Sequence, residues 1–291
     1  MPARILLQEP PTSPETWPDT REPAARPVLH LPRSGCGVPY YLHVPRRIDP
    51  TARPLIAVHG ISRRAGAHLE AFAPWAERTG RILIAPLFAE KQCRRYQRML
   101  VDRRRADHAL FAVLKDVEAT TGRTIDRFDF FGFSGGAQFG HRLALMYPDH
   151  IGRLALASAG WYTFPDQAVA FPYGLSPGEG WAGAFRARLP DCLSIPILVL
   201  VGERDVLRDS ALRKRTWVDE RQGRTRVERA ARWTMAMRDA ARWRGIEPTI
   251  DFQTLPRSGH SFEACVDDGG LVELVTGWMA NCCPTGGRSR H

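Results

Sequence analysis

Short, continuous apolar runs punctuate the chain at 55–60, 82–86, 128–133, 154–158 and 197–201. Runs of this length, bounded by glycine, proline or charge, are the pattern of strands buried on both faces of a parallel sheet. Between them the apolar period changes from continuous to helical. Leu69, Phe72, Ala73 and Ala76 predict a helix over 66–78. Ala106, Leu110, Val113, Leu114 and Val117 predict one over 102–120, stopped by Gly122. Further helices are predicted over 137–147, 224–244 and 270–280, the last with Asp267 and Asp268 as caps. Residues 249–255 alternate, which predicts a strand open to solvent on one face. Residues 28–31 and 38–44, with a reversal at 33–35, predict a strand pair. The order is ββ, then βαβαβαβ with an insertion, then βαβα. That order predicts an α/β protein: a mostly parallel sheet with helices on both faces and an antiparallel pair at one edge.

The chain has 291 residues, 44% of them hydrophobic, which is enough for one large α/β domain. Residues 1–26 are rich in Pro, Glu, Thr and Asp and read as a poorly ordered arm; 27–283 form the domain; 284–291 are a tail. No apolar run approaches the roughly 20 residues of a membrane span, and residues 1–20 lack the apolar core of a secretory signal. The expectation is a soluble, cytoplasmic protein. Six cysteines (36, 93, 192, 265, 282, 283) form no CxxC pair and are expected as free thiols; the adjacent Cys282 and Cys283 leave a redox role open. The nine histidines show no spacing that suggests metal ligands, so neither a metal nor a cofactor is expected. The net charge of +10 is carried by arginine, with lysine only at 91, 115 and 214. The arginines are spread along the chain without one tract of interleaved aromatics, so no nucleic-acid partner is expected. No pattern in the sequence specifies an oligomer.

Chemistry enters where the 128–133 run ends in Gly132-Phe133-Ser134-Gly135-Gly136. A strand that turns at once into a helix brings backbone so close that side chains at 132 and 136 collide, and it holds Ser134 in a strained conformation at the apex. In a parallel sheet, functional residues collect at the carboxyl ends of strands. The 55–60 run ends in His59-Gly60-Ile61, the 197–201 run in Gly202-Glu203-Arg204-Asp205, and the 249–255 strand is followed by Ser258-Gly259-His260. A serine, a carboxylate and a histidine thus follow separate strands in the chain order Ser…Asp…His, which is the arrangement nucleophilic acyl transfer requires. Glu203 and Asp209 are rivals to Asp205.

With these motifs, residues 28–282 resemble the α/β-hydrolase superfamily, with an outline similar to its esterase and polyhydroxyalkanoate-depolymerase-like branch. The resemblance implies the α/β-hydrolase fold: a mostly parallel eight-stranded sheet, helices on both faces, and a small lid inserted at about 161–190. It implies a serine hydrolase cleaving a carboxylic ester through an acyl-enzyme. Ser134 is then the nucleophile, His260 the general base and acid, Asp205 the residue that orients His260, and the backbone N–H groups of Ile61 and Gly135 the oxyanion hole. The oxyanion segment departs from the His-Gly-Gly-Gly of many lipases. Amidase, thioesterase or acyltransferase chemistry on the same fold, and a non-catalytic binding protein, stay open as alternatives.

The substrate expected is a small-molecule or polymeric ester. His59, Trp161, Tyr162 and Phe262 are the candidates for contact with it; His59 also reads as a residue that orders its own loop. The 161–190 insertion is rich in aromatics, which form either a roof for an apolar acyl group or a loop folded on itself. Arg63 and Arg64 follow the oxyanion loop, and Arg94, Arg95 and Arg98 follow the 82–86 strand. They predict a positive rim and an anionic substrate; the general arginine excess produces the same pattern with no such meaning.

Overall fold

The structure, a computed structural model, describes residues 28–280 apart from 34, 36, 100–104 and 177–180. The arm at 1–26, the tail at 284–291 and Cys36, Cys282 and Cys283 lie outside the described residues.

Eight strands form one sheet: β1 (Leu29–His30), β2 (Tyr40–His43), β3 (Leu55–Val58), β4 (Leu83–Pro86), β5 (Phe128–Phe133), β6 (Ile151–Ala157), β7 (Ile197–Gly202) and β8 (Ile250–Leu255). Their spatial order is β1-β2-β4-β3-β5-β6-β7-β8. The β3 to β8 pairings are all parallel, and β1 and β2 close one edge antiparallel. The helices are α1 (Ala65–Thr79), α2 (Ala106–Thr121), α3 (Gly135–Met146), α4 (Trp181–Leu193), α5 (Thr216–Gln222), α6 (Arg226–Trp243), α7 (Phe262–Asp267) and α8 (Leu271–Ala280).

The continuous apolar runs are explained by the two cores they feed. Along β3, Ile56 and Val58 join a core built with α2, α3, α4 and α6, while Leu55 and Ala57 join a second core built with α1, α7 and α8. Each central strand is buried on both faces, so both parities of its sequence are apolar. The charged exceptions are Arg153 in β6 and Asp129 in β5, the latter fully buried and held by Arg53 and Arg81, each at 2.7 Å. The outer strand β8 follows the expected alternation from Ile250 to Gln253 and departs from it at its end, where Thr254 is exposed and Leu255 buried.

Several local expectations are corrected. The helix expected from 102 begins at Ala106, and 102–104 are not among the described residues. The helix after β5 starts at Gly135, with no linker. Asp267 ends α7 and Asp268 caps its carboxyl end, so neither caps α8, which is preceded by Gly270 at φ +64°. Helices α4, α5 and α7 were not predicted. Among the described residues no helix is long and apolar enough to cross a membrane.

The insertion after β6 is fastened at its root. Thr163 accepts from Arg142 Nε through Oγ1 (3.1 Å) and from Trp233 Nε1 through its carbonyl (2.9 Å), and its N–H donates to His141 Nε2 (3.0 Å). Tyr162 and Gln222 exchange two hydrogen bonds, at 3.0 and 2.9 Å. Beyond the root the aromatics pack largely on each other: Trp161 on Tyr173, Tyr173 on Trp217, Phe171 on Phe185.

Candidate active site

The turn from β5 into α3 is as tight as its glycines suggest. A Cβ on Gly132 would lie 2.4 Å from the carbonyl of Gly136, and one on Gly136 would lie 2.1 Å from the oxygen of Val58. Both contacts are with backbone, so only glycine fits. Ser134 at the apex has φ 50° and ψ −106°, a conformation non-glycine residues rarely hold. Its N–H is tied to Ala157 O at 2.7 Å.

Ser134 Oγ lies 3.0 Å from His260 Nε2, and His260 Nδ1 lies 2.8 Å from Asp205 Oδ2. The histidine is carried by the loop after β8 and the carboxylate by the loop after β7. These loops are pressed together: Arg204 N–H donates to Ser258 O at 2.9 Å, and a Cβ on Gly202 would sit 2.4 Å from that oxygen. Ser258 Oγ lies within hydrogen-bond distance of the carbonyls of Pro256 and Ala264, and Ser261 caps α7. Phe133 stacks on the His260 ring with centroids 5.6 Å apart. The rivals to Asp205 sit elsewhere: Glu203 accepts from Arg257 N–H, and Asp209 pairs with Arg226.

Arg226 is a part of the site that the sequence does not reveal. It is 1% exposed, at the first position of α6, and donates to Asp205 Oδ1 at 3.1 Å and to both oxygens of Asp209 at 3.0 Å. Burial raises the pKa of Asp209, but hydrogen bonds and charge from Arg226 outweigh it and leave the carboxyl below its ordinary range. Nothing in an arginine-rich helix marks this one residue as the partner of a carboxylate 21 positions away.

The loop after β3 lies over Ser134. A Cβ on Gly60 would be 3.3 Å from Ser134 Cβ, and one on Gly135 would be 3.4 Å from the backbone nitrogen of Ile61. The N–H groups of Ile61 and Gly135 are therefore neighbours beside Ser134, and Gly135, first in its helix, has no intrahelical acceptor for its N–H. His59 builds this loop from behind. It is fully buried; Nδ1–H donates to Gly60 O at 2.7 Å, and Nε2 accepts from Phe88 N–H at 3.0 Å. Burial pushes its pKa down to about 4, so the ring is neutral at pH 7. Tyr96 Oη donates to His59 O and edges against the imidazole. Arg63 reaches across to the carbonyls of Phe88 and Arg94.

A pocket of ≈ 200 Å³ opens beside Ser134, walled by Ile61, Gln138, Trp161, Arg98, Arg213 and Arg226 among others. A wider cleft of ≈ 680 Å³ lies on the other side of Ile61, with Arg63, Glu90, Arg94 and Arg95 on its walls. Of the four sequence candidates for substrate contact, the structure brings Trp161 alone to the pocket. His59 is enclosed as described. Tyr162 is fully buried and stacks on Trp233, and Phe262 packs on His68, Phe131 and Phe133. Arg64 leaves the cleft to pair with Glu263. Among the described residues no three His, Cys, Asp or Glu side chains cluster in a way that could hold a metal ion.

No protein-family model and no curated protein sequence matches the chain. Solved structures do. Poly(aspartic acid) hydrolase-1 from Sphingomonas sp. KT-1 is similar at TM-score 0.72 and 24% identity, over 87% of this chain and 98% of that one. A poly(3-hydroxybutyrate) depolymerase from Bordetella parapertussis is similar at TM-score 0.69 and 24% identity, over 85% of each chain. A fluorophosphonate-binding serine hydrolase from Staphylococcus aureus is similar at TM-score 0.56 and 13% identity, over 88% of this chain and 97% of that one. At these identities the likeness speaks for the fold, and the fold is that of the α/β-hydrolases.

Proposed function

We propose that this α/β-hydrolase-fold protein is a serine hydrolase that cleaves carboxylic esters through an acyl-enzyme. The observation that carries the reading is the hydrogen-bond chain from Ser134 to His260 to Asp205, at 3.0 and 2.8 Å, with the N–H groups of Ile61 and Gly135 beside it. Ser134 Oγ attacks the carbonyl carbon while His260 Nε2 takes its proton. Asp205 fixes the tautomer with Nδ1–H toward it and stabilises the imidazolium. Negative charge grows on the carbonyl oxygen, and the Ile61 and Gly135 N–H groups meet it; one such donor is worth about 3–4 kcal/mol of barrier. The tetrahedral intermediate collapses as His260 returns the proton to the leaving alcohol. Water, deprotonated by the same histidine, then releases the acid and restores Ser134.

Ester chemistry is supported by the likeness to the poly(3-hydroxybutyrate) depolymerase. Amide hydrolysis by the same residues is a second reading, favoured by the likeness to the poly(aspartic acid) hydrolase, whose named polymer is amide-linked. A cytoplasmic location belongs to the same reading and is supported by the buried thiols of Cys192 and Cys265, which form no disulfide.

The test is labelling with a fluorophosphonate probe, then turnover of p-nitrophenyl esters of graded chain length. Labelling is expected in the native protein and absent in Ser134→Ala. Labelling that persists in the variant removes Ser134 as nucleophile. Labelling without ester turnover moves the reading to amides.

A further inference from the structure

Behind the pocket beside Ser134 lies an arginine that helps to fasten the insertion but whose charge meets no carboxylate among the described residues. Arg142 projects from α3 and is fully buried. Its Nη1 donates to the carbonyls of Gln97 (2.6 Å) and Gln138 (2.8 Å), its Nε donates to Thr163, and its Nη2 has no acceptor among the described residues. The charged groups nearest it are not carboxylates but two further arginines, Arg98 and Arg213. Burial first, then these two cations, push its pKa down to about 9, which still leaves it charged at pH 7.

Arg213 repeats the arrangement from the pocket side. Its guanidinium lies over the Trp161 ring at 4.9 Å, and Arg142 lies over the same ring at 4.2 Å. Arg213 donates to Tyr173 Oη and has no carboxylate partner among the described residues. It lines the pocket with Arg98 and Arg226, and among the described residues no acidic side chain does so. The charge of Arg226 is offset by Asp205 and Asp209. Arg213 and the enclosed Arg142 have no such offset. Like charges held this close in a partly desolvated site repel, and an anion entering the pocket relieves that repulsion while gaining the guanidinium hydrogen bonds.

We propose that this pocket is a carboxylate subsite, in which Arg213, backed by Trp161 and Arg142, binds a carboxylate on the acyl part of the substrate. The inference rests on the serine-hydrolase reading for the words "acyl part", and it narrows the substrate class to half-esters or half-amides of short dicarboxylic acids. The chain is short because ≈ 200 Å³ is below the range of pockets that hold drug-sized ligands. The guanidinium of Arg213 is planar by delocalisation, and Trp161 beneath it and Tyr173 Oη beside it hold its orientation, so binding an anion needs little further ordering.

Two measurements separate this inference from the reading beneath it. The first needs no catalysis. Ser134→Ala protein is titrated with sodium succinate at low ionic strength by calorimetry and followed by thermal unfolding. Succinate is expected to bind, to raise the midpoint, and to bind at least about tenfold more weakly to Ser134→Ala/Arg213→Gln, with Arg213→Lys between the two. The second compares methyl hydrogen succinate with its neutral isostere methyl succinamate in a pH-stat. The anionic ester is expected to have a kcat/KM about tenfold higher, a ratio that falls towards one in Arg213→Gln and in high salt. Absence of succinate binding, or binding unchanged by Arg213→Gln, overturns the subsite even when fluorophosphonate labelling is intact. Inorganic phosphate binding as tightly as succinate overturns its assignment to a carboxylate. Succinate binding that depends on Arg213 in a protein whose Ser134 does not label leaves the subsite standing and overturns the hydrolase reading.

Discussion

Replacement of Gly135 by alanine puts a single methyl group against the proposed oxyanion hole. The residue lies at the start of a helix with no positive φ, so its backbone accepts alanine. The new Cβ would stand 2.7 Å from Tyr96 Oη, 3.0 Å from Ile61 Cγ2 and 3.4 Å from Ile61 N. Ordinary C···O contact begins near roughly 3.3 Å, so the hydroxyl has to retreat by about 0.6 Å. Tyr96 cannot retreat freely, because its hydroxyl is bonded to His59 O and its ring is stacked on Phe88. The strain therefore passes into the loop that carries the Ile61 N–H. Oxyanion donors act within 2.7–3.1 Å of the oxygen, and loss of one raises the barrier by about 3–4 kcal/mol, or 10²–10³ in kcat. The expected result for Gly135→Ala is a fall of about a hundredfold in kcat for a p-nitrophenyl ester, with KM changed little and the thermal midpoint lowered by a few degrees. The second variant is diagnostic. Tyr96→Phe removes the atom nearest the methyl, so Gly135→Ala/Tyr96→Phe is expected to recover part of the lost kcat although it contains two lesions. Full activity in Gly135→Ala, or a double variant worse than the sum of its parts, refutes this account of the loop.

Three further outcomes are expected. Arg226→Met strands Asp205 and Asp209 as buried or half-buried carboxylates without their cation, and should cost about 3–5 kcal/mol in urea unfolding together with a fall in kcat; a change below 1 kcal/mol contradicts the pairing. His59, His68 and His141 are buried, and burial depresses the pKa of each, to about 4 for His59 and well below the ordinary value for the other two. Unfolding therefore takes up protons below pH 6.5. The stability from keeping these rings neutral is complete above that pH and declines on acidification toward the folded-state values, at up to about 4 kcal/mol per pH unit. A urea midpoint that stays flat from pH 6.5 to 5 contradicts this. His68 has no partner for either ring nitrogen and sits 3.8 Å, centroid to centroid, from Phe262. His68→Leu should raise the urea midpoint by about 1 kcal/mol of stability, and a lower midpoint contradicts an unsatisfied imidazole.

How far the sequence could be read depended on which forces are periodic. Strands β3 to β7 are buried on both faces, so their residues form nearly continuous apolar words; the carboxyl ends of β5 and β7 point to Ser134 and Asp205, and the alternating β8 points to His260. Helix α4 escaped because Gly183 and Pro190 interrupt it, and α5 because seven residues cannot display a period. Arg226 and Arg142 escaped for a different reason. Burial of a charge depends on partners that are remote in sequence, and in a chain where arginine is the common cation these two look like all the others. Tyr162 reads as a contact from its place in the aromatic insertion and Phe262 from its place in the His260 loop, whereas their rings are consumed by the packing of Trp233 and of Phe131 and Phe133. Gly135 was legible as a donor of a bare N–H but not as a gap kept open for Ile61 and Tyr96.

The fastened root of the insertion bears on how material passes through the site. Lifting residues 162–163 breaks five hydrogen bonds at once: those from Arg142 and Trp233, the one to His141, and the reciprocal pair with Gln222. At a net of about 1 kcal/mol each, the lifted form is populated in about one molecule in a few thousand. The mouth beside Ser134 is then a gauge of constant bore. Traffic through it is set by the dimensions of what arrives, so turnover should be indifferent to solvent viscosity. The narrow pocket and the wider cleft share Ile61 and Gln97 as a wall, so a chain with one unit in the pocket would have room for its remainder in the cleft.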